Sequence, residues 1–144
     1  MIGHNILLVD DNPDHVQLIQ EAFEELKSPS TLHVAVDGLA AMAYLRHEDP
    51  YEEEPIPDLI LLDLNLPKKD GRVVLEELKN SADFRRIPIA VLTSSSDQTD
   101  IDTCYDLGAN CYITKPANFD QIIDVIEMLE KFWFSITKLP THPS

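Results

Sequence analysis

At 144 residues and 44% hydrophobic content, the chain makes one domain with a real core. Its 26 acids against 11 bases give a net charge of −15, which leaves no basic face to displace counterions from a phosphate backbone, so no nucleic-acid partner is expected. Two cysteines, Cys104 and Cys111, are too few for a disulfide framework and fit a reduced, cytoplasmic protein, and the apolar run Ile6 to Val9 is far shorter than a signal-peptide core or membrane span.

In chain order, Asn5-Ile6-Leu7-Leu8-Val9 reads as a first strand that ends in Asp10-Asp11. Pro13 then opens a helix at the position where its missing N–H costs nothing. At about 100° per residue, Val16, Leu18, Ile19, Ala22, Phe23 and Leu26 share one side of that helix, and His15, near this stripe, reads as a partly buried packing residue. Thr31 to Val36 alternates more, as an edge strand would, and Asp37-Gly38 leads into a helix carrying Leu39, Met42, Ala43 and Leu45. The Glu- and Pro-rich stretch from His47 to Pro57 reads as an exposed acidic loop whose glutamates are solvated.

Leu59 to Leu62 is a short continuous apolar run, the pattern of a strand buried on both faces of a parallel sheet. It stops at Asp63, and Leu66-Pro67 with Asp70-Gly71 marks a loop. A helix over Gly71 to Asn80 follows, with Val74, Leu75 and Leu78 inward, then a strand over Ile87 to Leu92 that ends in Thr93-Ser94-Ser95-Ser96. Asp97 begins a polar helix with Ile101, Cys104, Tyr105 and Leu107, and Gly108 stops it. Asn110 to Thr114 is the fifth strand, ending in Lys115-Pro116. The last helix starts with Asn118 as N-cap and Gln121 three residues on, and runs to about Thr137. It uses up the chain, so a single unit over 1–144 with a tail over 138–144 and no output domain is expected.

Strands alternating with helices imply a parallel sheet covered on both faces, with every strand's carboxyl end on one edge. That edge gathers Asp10, Asp11, Asp63, Thr93 and Lys115 from four strands. Neighbouring strands lie about 4.8 Å apart, so these groups can reach one small ligand. Clustered carboxylates repel one another unless a cation neutralises them or some take protons, and hard oxygen ligands with open positions suit Mg²⁺. A carboxylate can itself attack a phosphoryl group, a reaction that needs positioning and positive charge rather than an acid–base pair. Mg²⁺ would take one phosphoryl oxygen, Lys115 a second and the Thr93 hydroxyl a third.

Asp10-Asp11, Asp63 with Leu66-Pro67 and Asp70-Gly71, Thr93, and Lys115-Pro116 together resemble a response-regulator receiver domain, along nearly the whole chain. The resemblance implies an α/β fold, a flavodoxin-like, doubly wound (βα)5 parallel sheet of order 2-1-3-4-5. It implies a two-component response regulator whose Asp63 accepts phosphate from a sensor histidine kinase. It further implies Mg²⁺ held by Asp11, Asp63 and the Asn65 carbonyl, with Asp10 acting mainly through water. Thr93 matches the family's hydroxyl switch and Tyr112 its aromatic switch. Such a protein is not an enzyme beyond its own phosphorylation and dephosphorylation, and it signals by contact with a downstream protein.

Two positions depart from the pattern. Ser94 stands where receivers often carry Ala, and Lys69 where many have Met, which leaves a Lys68-Lys69 pair on the rim of the site. That pair reads as a solvated turn or as a steering feature for a phosphodonor. Asn65 and Ser95 flank the site and should influence hydrolysis. The segments Leu64 to Arg72 and Lys131 to Pro140, with the acidic loop, look like stand-alone regulators paired with cyanobacterial phytochromes. A haloacid-dehalogenase-like phosphatase would need Asp-x-Asp where this chain has adjacent acids, and usually a cap domain. A degenerate, binding-only receiver is disfavoured because all the chemical positions are filled, and an FMN-binding flavodoxin because the hydroxyl-rich first loop is lacking.

The final helix also suggests assembly. Ile122, Val125, Ile126, Leu129, Trp133 and Ile136 form a stripe wide enough to cover the sheet, and Met128, Phe132, Ile123 and Phe134 remain outside it. A homodimer through the fourth helix, fifth strand and fifth helix is expected, the alternative being that the tail folds back over these residues.

Overall fold

The computed structural model describes residues 3–141. Five strands and five helices alternate: β1 (Asn5–Val9), α1 (Pro13–Glu25), β2 (Thr31–Ala35), α2 (Gly38–Leu45), β3 (Leu59–Leu62), α3 (Gly71–Lys79), β4 (Ile89–Thr93), α4 (Gln98–Asp106), β5 (Cys111–Thr114) and α5 (Phe119–Lys131). All strand pairs are parallel, in the order β2-β1-β3-β4-β5, which is the expected flavodoxin-like topology.

Alternation along the central strands explains the continuous apolar runs. In β1 and β3, Leu7, Val9, Ile60 and Leu62 enter one core with α2 and α3, while Ile6, Leu8, Leu59 and Leu61 enter the other with α1 and α5. Every residue of β3 and β4 is buried, whereas the edge strands β2 and β5 are mostly half-buried. Each fully buried Leu or Ile contributes roughly 1.5–3 kcal/mol, so the central strands anchor the edge that carries the polar residues.

Helix starts are set by Asx caps. The side chains of Asn12, Asp37, Asp70, Asp97 and Asn118 each accept from a backbone N–H in the first turn of the helix that follows. Because each helix follows a strand, all five N-termini lie toward the carboxyl edge of the sheet, where their partial positive charge favours anions.

Several expectations change in three dimensions. The stretch from His47 to Pro57 is not simply a solvated loop. Tyr51 packs on Tyr44 with ring centroids 5.6 Å apart, the Tyr44 hydroxyl donates to Pro55 O at 3.0 Å, and Glu54 lies 3.4 Å from His33. Only one side of this loop, with Glu52 and Glu53, faces water; the other closes the core under α2. On α2, Leu39 is exposed, whereas Tyr44 is buried with 2% exposure. Both rim lysines stand beside acids, Lys69 Nζ 2.7 Å from Glu77 and Lys68 Nζ 3.5 Å from Asp37.

The end of α5 differs most. Phe132–Ile136 forms a π-helical turn closed by Thr137 N donating to Phe132 O at 2.9 Å. The wider turn delays the rotation of the residues along it. Phe134, expected on an exposed flank, is instead half-buried and stacked on His4 at 4.1 Å. Ile136, expected to cover the sheet, is 64% exposed. Met128 and Phe132 are exposed as expected, and Ile123 is half-buried. Of the tail expected over 138–144, Leu139 to Thr141 run beside Asp58 and Arg86 to Pro88, and Met128 and Phe132 stay exposed; residues 142–144 lie outside the described residues.

Candidate functional site

Backbone ladders continue one residue past the strands and thereby fix the polar residues at the edge. Asp10 N donates to Ala35 O (3.1 Å), Asp63 N to Val9 O (3.0 Å) and Lys115 N to Thr93 O (2.7 Å). The register of β1 against β3 therefore puts Asp63 beside Asp10. Carboxylate oxygens of Asp10, Asp11 and Asp63 all lie within 4.8 Å of one another. Asp10 and Asp63 are buried and Asp11 is exposed, so the cluster has a closed floor and an open mouth.

Lys115 reaches into this cluster from the end of β5. Its Nζ is 3.0 Å from Asp10 Oδ2 and 2.9 Å from Asp63 Oδ2. Burial alone would lower the Lys115 pKa, but its hydrogen bonds to Asp63 and Asp10 outweigh that and hold the ammonium above its ordinary range. Burial alone would likewise raise Asp10. The bonds from His15, the Asn12 amide and Lys115 more than offset it and keep the carboxyl below the usual carboxylate range.

Thr93 closes the site from β4. It is fully buried, and its hydroxyl has no hydrogen-bond partner among the described residues. A buried hydroxyl left so costs roughly 1–3 kcal/mol, so an oxygen-bearing ligand at this edge would relieve a real penalty. Asn65 lies two residues beyond Asp63 on the loop to α3, with its side chain exposed. That loop is drawn tight by Gly71 N donating to Leu64 O at 2.8 Å. Gly71 is required there: a Cβ would stand 2.1 Å from the Asp63 carbonyl oxygen. Tyr112 points to the same end of the molecule, its hydroxyl donating to Ser95 O at 2.8 Å.

His15 is a site residue that sequence reasoning missed. Asn12 caps α1 by accepting from Asp14 N and His15 N, and this first turn aims the imidazole back at the strand end. Its Nδ1 donates to Asp10 Oδ2 at 3.0 Å, while Nε2 is buried without a partner among the described residues. The available signal was its spacing, five residues after an acid and just past an Asx cap. Proximity to an apolar stripe hid it.

The arrangement fits a divalent cation and a phosphoryl group. Three carboxylates around one point suit a hard ion that keeps some of its water, and Lys115 with the Thr93 hydroxyl provides donors for further anionic oxygens. Among the described residues no helix is long and apolar enough to cross a membrane.

Known proteins share this sequence and fold. The response regulator receiver domain model matches residues 6–127. The response regulator Rcp1 of Synechocystis sp. is 45% identical over 135 residues, covering 94% of this chain and 92% of that protein. The crystal structure of the phosphorylated cyanobacterial phytochrome response regulator RcpA superposes with a TM-score of 0.91 at 48% identity, covering 97% of this chain and all of that one. The Mn²⁺-bound form of Rcp1 gives 0.87 at 44% identity, over 96% of this chain and 99% of that one. A match this long and this similar makes the chain a member of the response-regulator receiver family.

Proposed function

We propose that Asp63 of this two-component response regulator takes a phosphoryl group from a phosphohistidine of a sensor histidine kinase. The observation that carries this reading is the cluster itself: the acid at the end of the central strand shares a 4.8 Å space with Asp10 and Asp11. The Asp63 carboxylate forms the new P–O bond as the donor's P–N bond breaks and the electron pair returns to the imidazole. Asp11, Asp63, the Asn65 carbonyl and, through water, Asp10 would hold Mg²⁺, whose charge favours transfer by neutralising phosphoryl oxygens. Lys115 binds another phosphoryl oxygen, and the Thr93 hydroxyl a third.

The likeness to RcpA, a cyanobacterial phytochrome response regulator, favours a phytochrome-type kinase as the donor. The regulator acts in the cytoplasm as a single receiver unit that passes its signal through protein contact, with Thr93 and Tyr112 as switch residues. Exposed Met128, Phe132 and Ile136 support a homodimer through α4, β5 and α5.

The test is incubation with an autophosphorylated phytochrome-type kinase and with acetyl phosphate. Wild type should take a base-labile label in Mg²⁺, and Asp63→Asn none. Full labelling of Asp63→Asn, or labelling that persists in excess chelator, would overturn the reading.

A further inference from the structure

Ser95 stands where two lines of contact cross. Its backbone carbonyl accepts from the Tyr112 hydroxyl at 2.8 Å, and its own hydroxyl donates to Asp100 Oδ2 at 2.7 Å. The other oxygen of Asp100 accepts from Arg72 Nη2 at 2.7 Å. Arg72 Nη1 meets both oxygens of Asp70 at 3.2 and 3.3 Å, and Asp70 caps α3 by accepting from Arg72 N at 2.9 Å. Asp70 ends the loop that starts at Asp63, and Arg72 is the second residue of α3. A continuous path therefore runs from that loop through Arg72, Asp100 and Ser95 to Tyr112, separate from Thr93.

These links are stiff by their chemistry. Arg72 and Asp100 are about three-quarters covered, with side-chain exposures of 28% and 26%, so water competes only in part. The Asp100 bond holds the Arg72 guanidinium above its ordinary range, and the bonds from Ser95 and Arg72 hold Asp100 below its own. A guanidinium forking between Asp70 and Asp100 fastens α3 to α4 and leaves the Thr93–Asp97 segment little slack. A pull on the Thr93 hydroxyl must then move Ser95 as well, since the two share one short segment. Without the latch the segment absorbs the pull.

We propose that Arg72 and Asp100 are positioning residues, a latch that makes Tyr112 respond to occupancy of the Asp63 site by holding Ser95 through its hydroxyl. The proposal rests on the phosphoacceptor reading of Asp63, and reciprocity requires that whatever Tyr112 contacts also bias that site.

The test uses the full chain with Mg²⁺ and beryllofluoride, a phosphoryl mimic, and reads ¹³C-tyrosine ring resonances by NMR. The Tyr112 signal is assigned by its loss in Tyr112→Phe. On saturation with beryllofluoride, the Tyr112 shift change should shrink at least about twofold in Arg72→Gln and in Asp100→Asn. The double variant should lose no more than either single one, because both cut the same link. Ser95→Ala keeps the backbone carbonyl and the Arg72–Asp100 pair, and should lose the response equally; it covers the case in which a charge variant fails to fold. A response of wild-type size in Ser95→Ala or in the charge variants, or additive losses in the double variant, would overturn the latch. Wild type that does not take up beryllofluoride would instead sink the phosphoacceptor reading beneath it.

Discussion

Lys115 Nζ donates to Asp63 Oδ2 at 2.9 Å, so the acid at the end of the central strand is already paired with a cation from β5. The same ammonium is 3.0 Å from Asp10 Oδ2. It thus supplies in the metal-free protein part of the neutralisation that a divalent ion would give.

Lys115→Ala should therefore do more than remove a phosphate contact. Buried Asp10 and Asp63 lose their shared cation, and metal-free stability should fall by about 2 kcal/mol in urea denaturation. Mg²⁺ should restore much of this loss and, freed from competition, bind severalfold more tightly by calorimetry. Unchanged stability without metal would show that Lys115 contributes nothing until the phosphoryl group arrives.

His15→Ala removes one of the donors that hold Asp10. Supporting partners of metal ligands typically count for about tenfold in affinity at the low end. Mg²⁺ affinity should fall by about that factor, and His15→Asn, whose amide can stand where Nδ1 stood, should recover most of it. Equal affinities in all three proteins would return His15 to a packing role.

Assembly is best tested with Met128→Glu and Phe132→Glu, both at exposed positions. Phe134→Glu would confuse the result, since that ring stacks on His4 and packs against the α1–α5 core. Sedimentation equilibrium should find dimers of the wild type at tens of micromolar, roughly the range of weak interfaces, and monomers of the double variant. A monomeric wild type, or a double variant that still pairs, argues against this face.

Tyr44 gives an alkaline signature. Burial first, and the nearby Glu54 charge second, push its phenol well above the ordinary value near 10. A folded pKa above the unfolded one means that the contribution is complete below about pH 10 and is lost as pH rises through the folded value. Urea midpoints of wild type should thus fall above pH 10. Tyr44→Phe should lose about 1 kcal/mol at pH 7, because Pro55 O loses its donor, and should show a shallower alkaline decline. Parallel declines in the two proteins would show that Tyr44 does not carry this limb.

Local sequence determined the strands, the helices and the edge on which the chemistry gathers. The runs Ile6–Val9 and Leu59–Leu62 fit strands covered on both sides, as the structure has them, and parallel connection sends Asp10, Asp11, Asp63, Thr93 and Lys115 to one end. What periodicity cannot carry is the direction of a side chain across a register or past an irregular turn. His15 reads as a packing residue near an apolar stripe, and only the Asn12 cap turns it to Asp10. The latch joins Arg72 at the start of α3 to Asp100 in the first turn of α4, and Asp100 to Ser95 on the segment after β4, residues that meet only in the folded chain. Phe134 and Ile136 exchanged roles because a π turn broke the 100° spacing from which their places were read. The acidic stretch from His47 to Pro57 docks because Tyr44 offers Tyr51 a ring and Pro55 a donor, contacts that composition does not reveal. In the latch, the docked acidic stretch and the stacking of Phe134 on His4, contacts between segments distant in sequence outweighed the local preference, and only the folded chain decides which segments meet.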